Sequence, residues 1–371
     1  MATRRALATA LLLPLLLCTA PAWADKLDDD LQTVWESLWD QRGMTLPVLR
    51  WEREIRYRFF GPDSARHREH AVTALQAAAQ EAGLQLKDVS DEPDAEKTAM
   101  LELEVVKDFE LQDNEACVTA VTELSNWAFL KVKIRMRSRD AWRCTYHEVM
   151  HAMGIRGHPS GKTVLSYFPY KQDSFMDLDR LMLRAWYSPS MRKGATPFEA
   201  LVVLSRAVAR QTDLGILESE AQTRASAFRL AKLREMEALA SGAGEIPAIV
   251  KRSGRASSEH MTNAQREAGY YLGVAYLLGT IVKKNDAVSS RWFKRAAEQG
   301  QTAAQVMWGR ALVKGTGVEV DRKVAYSWFY QALRGGNAVA QNDMTQLEKM
   351  MSPEDLEEAR AKLPGPGKAG E

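Results

Sequence analysis

Long apolar runs are scarce in this chain. The longest, Ala6 to Leu17, follows Arg4-Arg5 and precedes Ala22-Trp23-Ala24. It is too short to cross a bilayer, and its flanks are the basic region and the A-x-A cleavage site of a secretory leader. Residues 1–24 are therefore read as a signal peptide, with a mature chain starting at Asp25 that is periplasmic or secreted. Cys18 could suggest a lipidated leader, but Leu17 stands where a small residue is needed. No later segment has the length and apolarity of a transmembrane span.

Net charge is missing as well. The formal balance is +2, and the leader carries two Arg and no acid, so the 50 Lys and Arg fall to 48 against 48 Asp and Glu. A neutral mature chain argues against a nucleic-acid binder. Cysteine is rare: three in all, of which the leader removes Cys18. Cys117 and Cys144 remain, and two cysteines in an exported protein favour a bridge, with two buried thiols as the alternative. The bridge would close a loop of about 28 residues, worth roughly 3–4 kcal/mol, and would anchor whatever follows Cys144. Histidine is scarce too, with six in the chain, yet three of them fall within twelve residues.

Those twelve run from His147 to His158 and read H-E-x-x-H-x-x-G-x-x-H. His147 and His151 are one helical turn apart, so both imidazoles project from one face and can grip one ion. Glu148 can reach a water on that ion without filling a coordination position. Gly154 can adopt positive φ and end the helix, so that the chain turns back and His158 supplies a third nitrogen. Three protein ligands leave a fourth position open, the arrangement of a catalytic rather than a closed structural site.

The stretch resembles the active-site helix of the metzincin zinc peptidases. Pro159 after the third histidine is similar to the serralysin branch. Thr163-Val164-Leu165-Ser166-Tyr167 resembles the family's Met-turn, with Leu165 in the place of Met, a volume-conserving change. Asp177 to Tyr187 resembles the closing helix of such domains. The resemblance implies one zinc per chain on His147, His151 and His158. It implies Glu148 as general base, and Tyr167 as a donor to the tetrahedral oxyanion or a removable metal ligand. It covers about residues 140–190 closely and the region before them by architecture only.

From 25 to 140 an α/β layer is expected. Leu49, Trp51, Ile55, Tyr57 and Phe59 alternate with charged residues, as do Leu101, Leu103 and Val105, and Leu130, Val132, Ile134 and Met136. Ser64 to about Ala82 is an amphipathic helix after the Gly61-Pro62-Asp63 break. The third strand shows Lys131, Lys133, Arg135 and Arg137 on one face. That pattern reads as a charged edge strand guarding against aggregation, or as an edge along which an acidic substrate strand would lie. His67 and His70 are read as solvated residues of the helix. Thr196-Pro197 starts a further helix, Glu218 to about Leu239 is another, and Ser241-Gly242-Ala243-Gly244 and Ser253-Gly254 read as a loose linker.

The C-terminal part repeats with a period of 36: Gly273 and Gly309, Gly279 and Gly315, Trp292-Phe293 and Trp328-Phe329, Gly300 and Gly336, Ala304 and Ala340. Small residues at crossings, an interior aromatic and a turn glycine describe stacked helical hairpins. The pattern resembles Sel-1-like repeats, relatives of the tetratricopeptide array, which implies a protein partner.

The expected fold is an α+β metzincin-like zinc domain with a C-terminal all-α helical-repeat solenoid. Its division is a signal peptide at 1–24, the zinc domain at 25–190, a helical connector and linker at 191–262, repeats with a cap at 263–363 and a disordered tail at 364–371. The linker composition predicts separable units. The expected function is an exported zinc metalloendopeptidase acting on a peptide or protein substrate. The alternatives are an exported non-catalytic scaffold acting through its repeats with a structural metal site, or an amidase acting on cell-wall peptides.

Overall fold

A computed structural model describes residues 22–40, 42–45, 47–107, 110–111, 116–166, 173–245, 247–252 and 258–363. The body of the expected leader, Tyr167, Ser253-Gly254 and the expected tail from Pro364 lie outside the described residues.

In chain order the N-terminal half comprises α1 (Ala22–Glu36), β1 (Ile55–Phe60), α2 (Ser64–Ala82), β2 (Leu86–Asp88), α3 (Ala95–Thr98) and β3 (Leu101–Val106), then β4 (Cys117–Ser125), β5 (Ala128–Arg137), α4 (Ala141–Ala152) and α5 (Asp177–Trp186). The strands form one sheet in the order β2-β1-β3-β5-β4, parallel except for β4, which runs antiparallel to β5 at the edge. Register brings Tyr57, Leu101 and Val132 abreast, then Phe59, Leu103 and Ile134, and all six are buried. α4 packs on this apolar face, where the Thr145 hydroxyl meets the Met136 sulfur. The mixed α/β part thus follows the period-2 alternation of its strands.

Three expectations need correction here. The first strand begins at Ile55, because Leu49 to Trp51 make only an isolated bridge through Arg50 to Ala128. The cationic strand is not an edge: β5 lies between β3 and β4. Its cations are matched by acids on β3, with Lys131 to Glu102 at 3.5 Å, Lys133 to Glu104 at 2.8 Å and Arg135 to Glu104 at 3.1 Å. Register explains it, since Glu102 pairs across from Lys133 and Glu104 from Arg135. The positive face therefore neither guards an edge nor waits for an acidic substrate. Nor are the α2 histidines simply solvated. His67 is buried against the Ser138 hydroxyl, and the His70 ring stacks on Trp142 at 3.8 Å.

The second half is helical: α6 (Pro197–Val208), α7 (Glu218–Ala240), α8 (Ala248–Arg252), α9 (Ser258–Leu278), α10 (Asp286–Glu298), α11 (Thr302–Lys314), α12 (Arg322–Arg334), α13 (Val339–Glu348) and α14 (Pro353–Ala361). α6 opens as Thr196-Pro197 predicts, with Thr196 and Glu199 capping each other's backbone N–H groups. In the repeats the periodic glycines have a steric reason. A Cβ at Gly273 would lie 2.5 Å from the Phe293 ring, and one at Gly309 2.5 Å from the Phe329 ring. Each glycine admits the buried aromatic of the following helix.

The hydrophobic core does not part at residue 190 or at 262. One cluster runs from Leu27 and Trp35 through the sheet and α4 to Phe198, Leu201, Leu233, Met236 and on to Leu272 of α9. The Trp35 ring stacks on Phe198 at 6.1 Å, and the Tyr271 hydroxyl donates to the Thr45 carbonyl at 3.3 Å. A second cluster, from Phe293 to Ala359, holds the repeats. The two meet at α9, which buries Ala268, Tyr271 and Leu272 in the first and lays Tyr270, Val274 and Leu277 against the second.

Candidate metal centre

α4 and the turn that follows it carry the three histidines. The helix ends at Ala152, and Gly154 takes φ 106, where a Cβ would overlap the Leu49 carbonyl. That left-handed residue lets the chain reverse towards His158. The three Nε2 atoms then converge, at 3.0 Å between His147 and His151 and 3.1 Å from His158 to each. Among the described residues this is the one group of three His, Cys, Asp or Glu side chains close enough to share an ion.

These separations are not hydrogen bonds among neutral rings. His147 Nδ1 is 2.9 Å from the Val164 carbonyl and His151 Nδ1 2.8 Å from the Ile155 carbonyl. A carbonyl only accepts, so both Nδ1 atoms carry a proton, and in the neutral rings that bind a metal both Nε2 atoms present lone pairs to each other. Two lone pairs at 3.0 Å repel unless a cation lies between them. Tetrahedral zinc at about 2.0–2.1 Å from each nitrogen would set them about 3.3 Å apart. The donor set fits that ion, with the tautomers held by carbonyls outside the ligand shell. Burial lowers the His151 pKa well below its usual value and that of His158 to about 3, the neighbouring imidazoles adding to the effect. Both rings are thus held neutral, as ligands must be.

Glu148 is 3 % exposed. Its Oε2 accepts the Thr119 hydroxyl at 2.6 Å. Burial pushes its pKa up, against the opposing effects of His147 and Thr119, and a cation on the three imidazoles would pull it back down. Thr119 sits on the edge strand β4, and two residues earlier Cys117 is bridged to Cys144, with Cα atoms 6.2 Å apart. Residues 117 and 119 share one face of a strand, and 144 and 148 are one turn apart on α4. The disulfide and the Thr119–Glu148 hydrogen bond are successive rungs between strand and helix. The bridge expected from the sequence is therefore present, and it anchors the start of the helix that carries His147 and His151.

The 163–166 turn is held from α5. Asp179, fully buried, accepts the Thr163 hydroxyl and the Val164 N–H, the latter at 3.1 Å. It also accepts the Met176 N–H at 2.9 Å. Burial raises its pKa to about 6. Because the Val164 carbonyl receives His147 Nδ1–H, Asp179 fixes that ligand at one remove. Leu165 is fully buried in this turn. Tyr167 lies outside the described residues, so its candidate role rests on sequence alone. Thr119 and Asp179 were not singled out from sequence. A threonine and an aspartate carry no spacing that links them to residues 29 and 15 positions away.

No curated protein matches the chain. Among solved structures it is similar to a Sel1 repeat protein from Oxalobacter formigenes, 29% identical over 37% of this chain and 99% of that one, with a TM-score of 0.23. It is also similar to a protective antigen of uropathogenic Escherichia coli strains displaying an SLR fold, 20% identical over 59% of this chain and 51% of that one, with a TM-score of 0.27. Both scores are too low to bear on the arrangement of the whole molecule. Residues 266–301 and 302–337 match the family model described as Sel1 repeat, so the period of 36 read from the sequence is that of two Sel1 repeats.

Proposed function

We propose that this chain is an exported zinc-dependent hydrolase of peptide bonds whose Sel1 repeats bind a protein partner. The observation that carries the first half is the convergence of three imidazole Nε2 atoms, each within 3.1 Å of the others, beside a buried glutamate. Zinc held there supplies a Lewis acid that acidifies water and polarises a carbonyl. Glu148, next in sequence to one ligand and buried, is placed to take a proton from water and return it to a leaving amine. Thr119 holds that carboxylate in place. β4 is the antiparallel edge of the sheet, with no neighbour on its outer side among the described residues, so an extended substrate can add to it as one more strand. This edge replaces β5 as the strand expected to receive substrate. The metzincin-like reading rests on the sequence resemblance, which further assigns Tyr167 to the oxyanion.

A second reading, a non-catalytic exported scaffold with a structural metal, is favoured by the Sel1 match, since stacked helical hairpins generally present surfaces to other proteins. Metal analysis of purified protein beside a broad peptide-library digest separates the two. About one zinc per chain with cleavage abolished by Glu148→Ala supports the hydrolase. Zinc without cleavage of any peptide supports the scaffold. Cleavage confined to cell-wall peptides would place the chain among amidases of that polymer.

A further inference from the structure

His147 and His151 are placed by α4, but His158 lies in an irregular segment whose position is set from elsewhere. The residues around it are fastened to the last turn of α1 and to Ser37 just after it. Before it, the Gly157 N–H donates to the Ser37 carbonyl at 3.0 Å. After it, Ser160 gives both its N–H and its hydroxyl to Glu36 Oε2, at 2.8 and 3.0 Å. The other carboxylate oxygen, Oε1, accepts the Gln32 amide at 2.9 Å from one turn earlier. Glu36 is only 5 % exposed, so these are buried, charge-assisted hydrogen bonds. The glycines on either side allow the approach: a Cβ at 157 would overlap the Glu36 carbonyl, and one at 161 the Thr33 hydroxyl. The third ligand is thus bracketed, at 157, 160 and 161, by residues 33, 36 and 37.

We propose that Glu36 is a positioning residue of the metal centre, holding the His158 segment through Ser160 so that the third imidazole meets the first two. The inference rests on the three-histidine reading of the site. Its chemistry is that of acceptors matched to donors. Two donors from Ser160 converge on one carboxylate oxygen and the Gln32 amide meets the other, so a glutamine at 36 offers one neutral acceptor oxygen where a charged carboxylate held all three. Without the charge the segment is held less firmly, and with it the His158 ring, while α4 keeps the other two imidazoles in place.

The test is zinc affinity, by competition with a chromophoric chelator, for wild type, Glu36→Gln, Ser160→Ala and His158→Ala. Circular dichroism of each metal-free protein reports the fold. Glu36→Gln is expected to weaken zinc about 10- to 100-fold without exceeding the loss in His158→Ala, since a positioning residue cannot cost more than its ligand. Ser160→Ala, which keeps the N–H donor, should show a smaller loss. The cobalt(II)-substituted Glu36→Gln protein should lose the intense visible bands of a four-coordinate site. Wild-type affinity in a folded Glu36→Gln protein overturns the proposal. If Glu36→Gln does not fold, Ser160→Ala decides, and unchanged affinity there overturns it. Wild-type protein that takes up no zinc removes the metal reading itself, and the positioning role with it.

Discussion

Two backbone carbonyls decide the chemistry of the histidines. By taking the Nδ1 protons of His147 and His151 they leave Nε2 lone pairs facing one another, and only a cation makes that arrangement favourable. Wild-type protein is therefore expected to carry about one zinc, with His151→Ala losing it and Glu148→Ala keeping it while turnover falls by roughly 10²–10⁴. Elemental analysis and single-peptide kinetics read both numbers, and turnover unaffected by Glu148→Ala would remove the base. Gly154 is the second decisive residue. Its φ of 106 and its contact with Leu49 leave no room for a side chain, so Gly154→Ala should lower unfolding free energy by at least about 2 kcal/mol in denaturant titration. Both histidine spacing and turn glycine were legible in the sequence because they are local. Thr119, Asp179 and Glu36 were not, since each reaches its partner across the fold.

At the level of elements, α4 is tied to the edge strand by the Cys117–Cys144 bridge and by Thr119. The 27-residue separation makes the bridge worth roughly 3–4 kcal/mol in the loop-entropy account. Replacing both cysteines by serine should lower stability by about that amount, read from denaturant midpoint and slope together, because the unlinked chain unfolds to a more expanded state and the slope rises. Stability unaffected by the double replacement would show that the ladder to β5 and the Thr119–Glu148 hydrogen bond hold β4 without the bridge. α9 offers a pH-dependent case. Burial pushes the Glu267 carboxyl up to about 7, aided by Asp40 and opposed by the Gln301 hydrogen bond and Arg266. Below about pH 4 the group is neutral in folded and unfolded chains alike, so it costs nothing. Between the unfolded value and about 7 the unfolded chain releases a proton that the folded one retains, and stability falls. Glu267→Gln should therefore stabilise the protein at pH 8, by on the order of 3 kcal/mol, and not at pH 4. Equal effects at both pH values would mean that the carboxyl has the same pKa in the folded and unfolded chains.

At the scale of the whole molecule, the larger of the two cores crosses the expected boundaries at 190 and 262. α1, α6, α7 and α9 pack into the same cluster as the sheet, and Phe198, Leu201, Leu233, Met236 and Leu272 belong to it. Composition around residues 241–244 suggested two independent units. A chain ending at Gly194 would instead expose the faces that α1, the sheet and α5 present to those helices, and it is expected to be insoluble or lack cooperative unfolding. A soluble truncation with one zinc and a sharp melting transition would show that the helices only decorate the metal domain. Residues 262–365 keep α9 and the second cluster, but with the α9 face bearing Ala268, Tyr271 and Leu272 uncovered.

What the sequence determined by itself was everything with a short period: the i, i+4 histidines, the glycine turn, the alternating strands and the 36-residue repeat, whose glycines admit Phe293 and Phe329. Only the tertiary structure decided which strand is the edge. Charge alternation looks the same on a central strand with acids opposite as on an exposed one, and the pairing of Lys133 with Glu102 is a matter of register between distant segments. Only it brought α1 to the third ligand, because the hydrogen bonds of Glu36 to Ser160 span 124 residues and leave no periodic trace. And only it joined the two halves through α9. A helix apolar on two faces reads locally as buried, and which two cores it serves depends on what folds against each face.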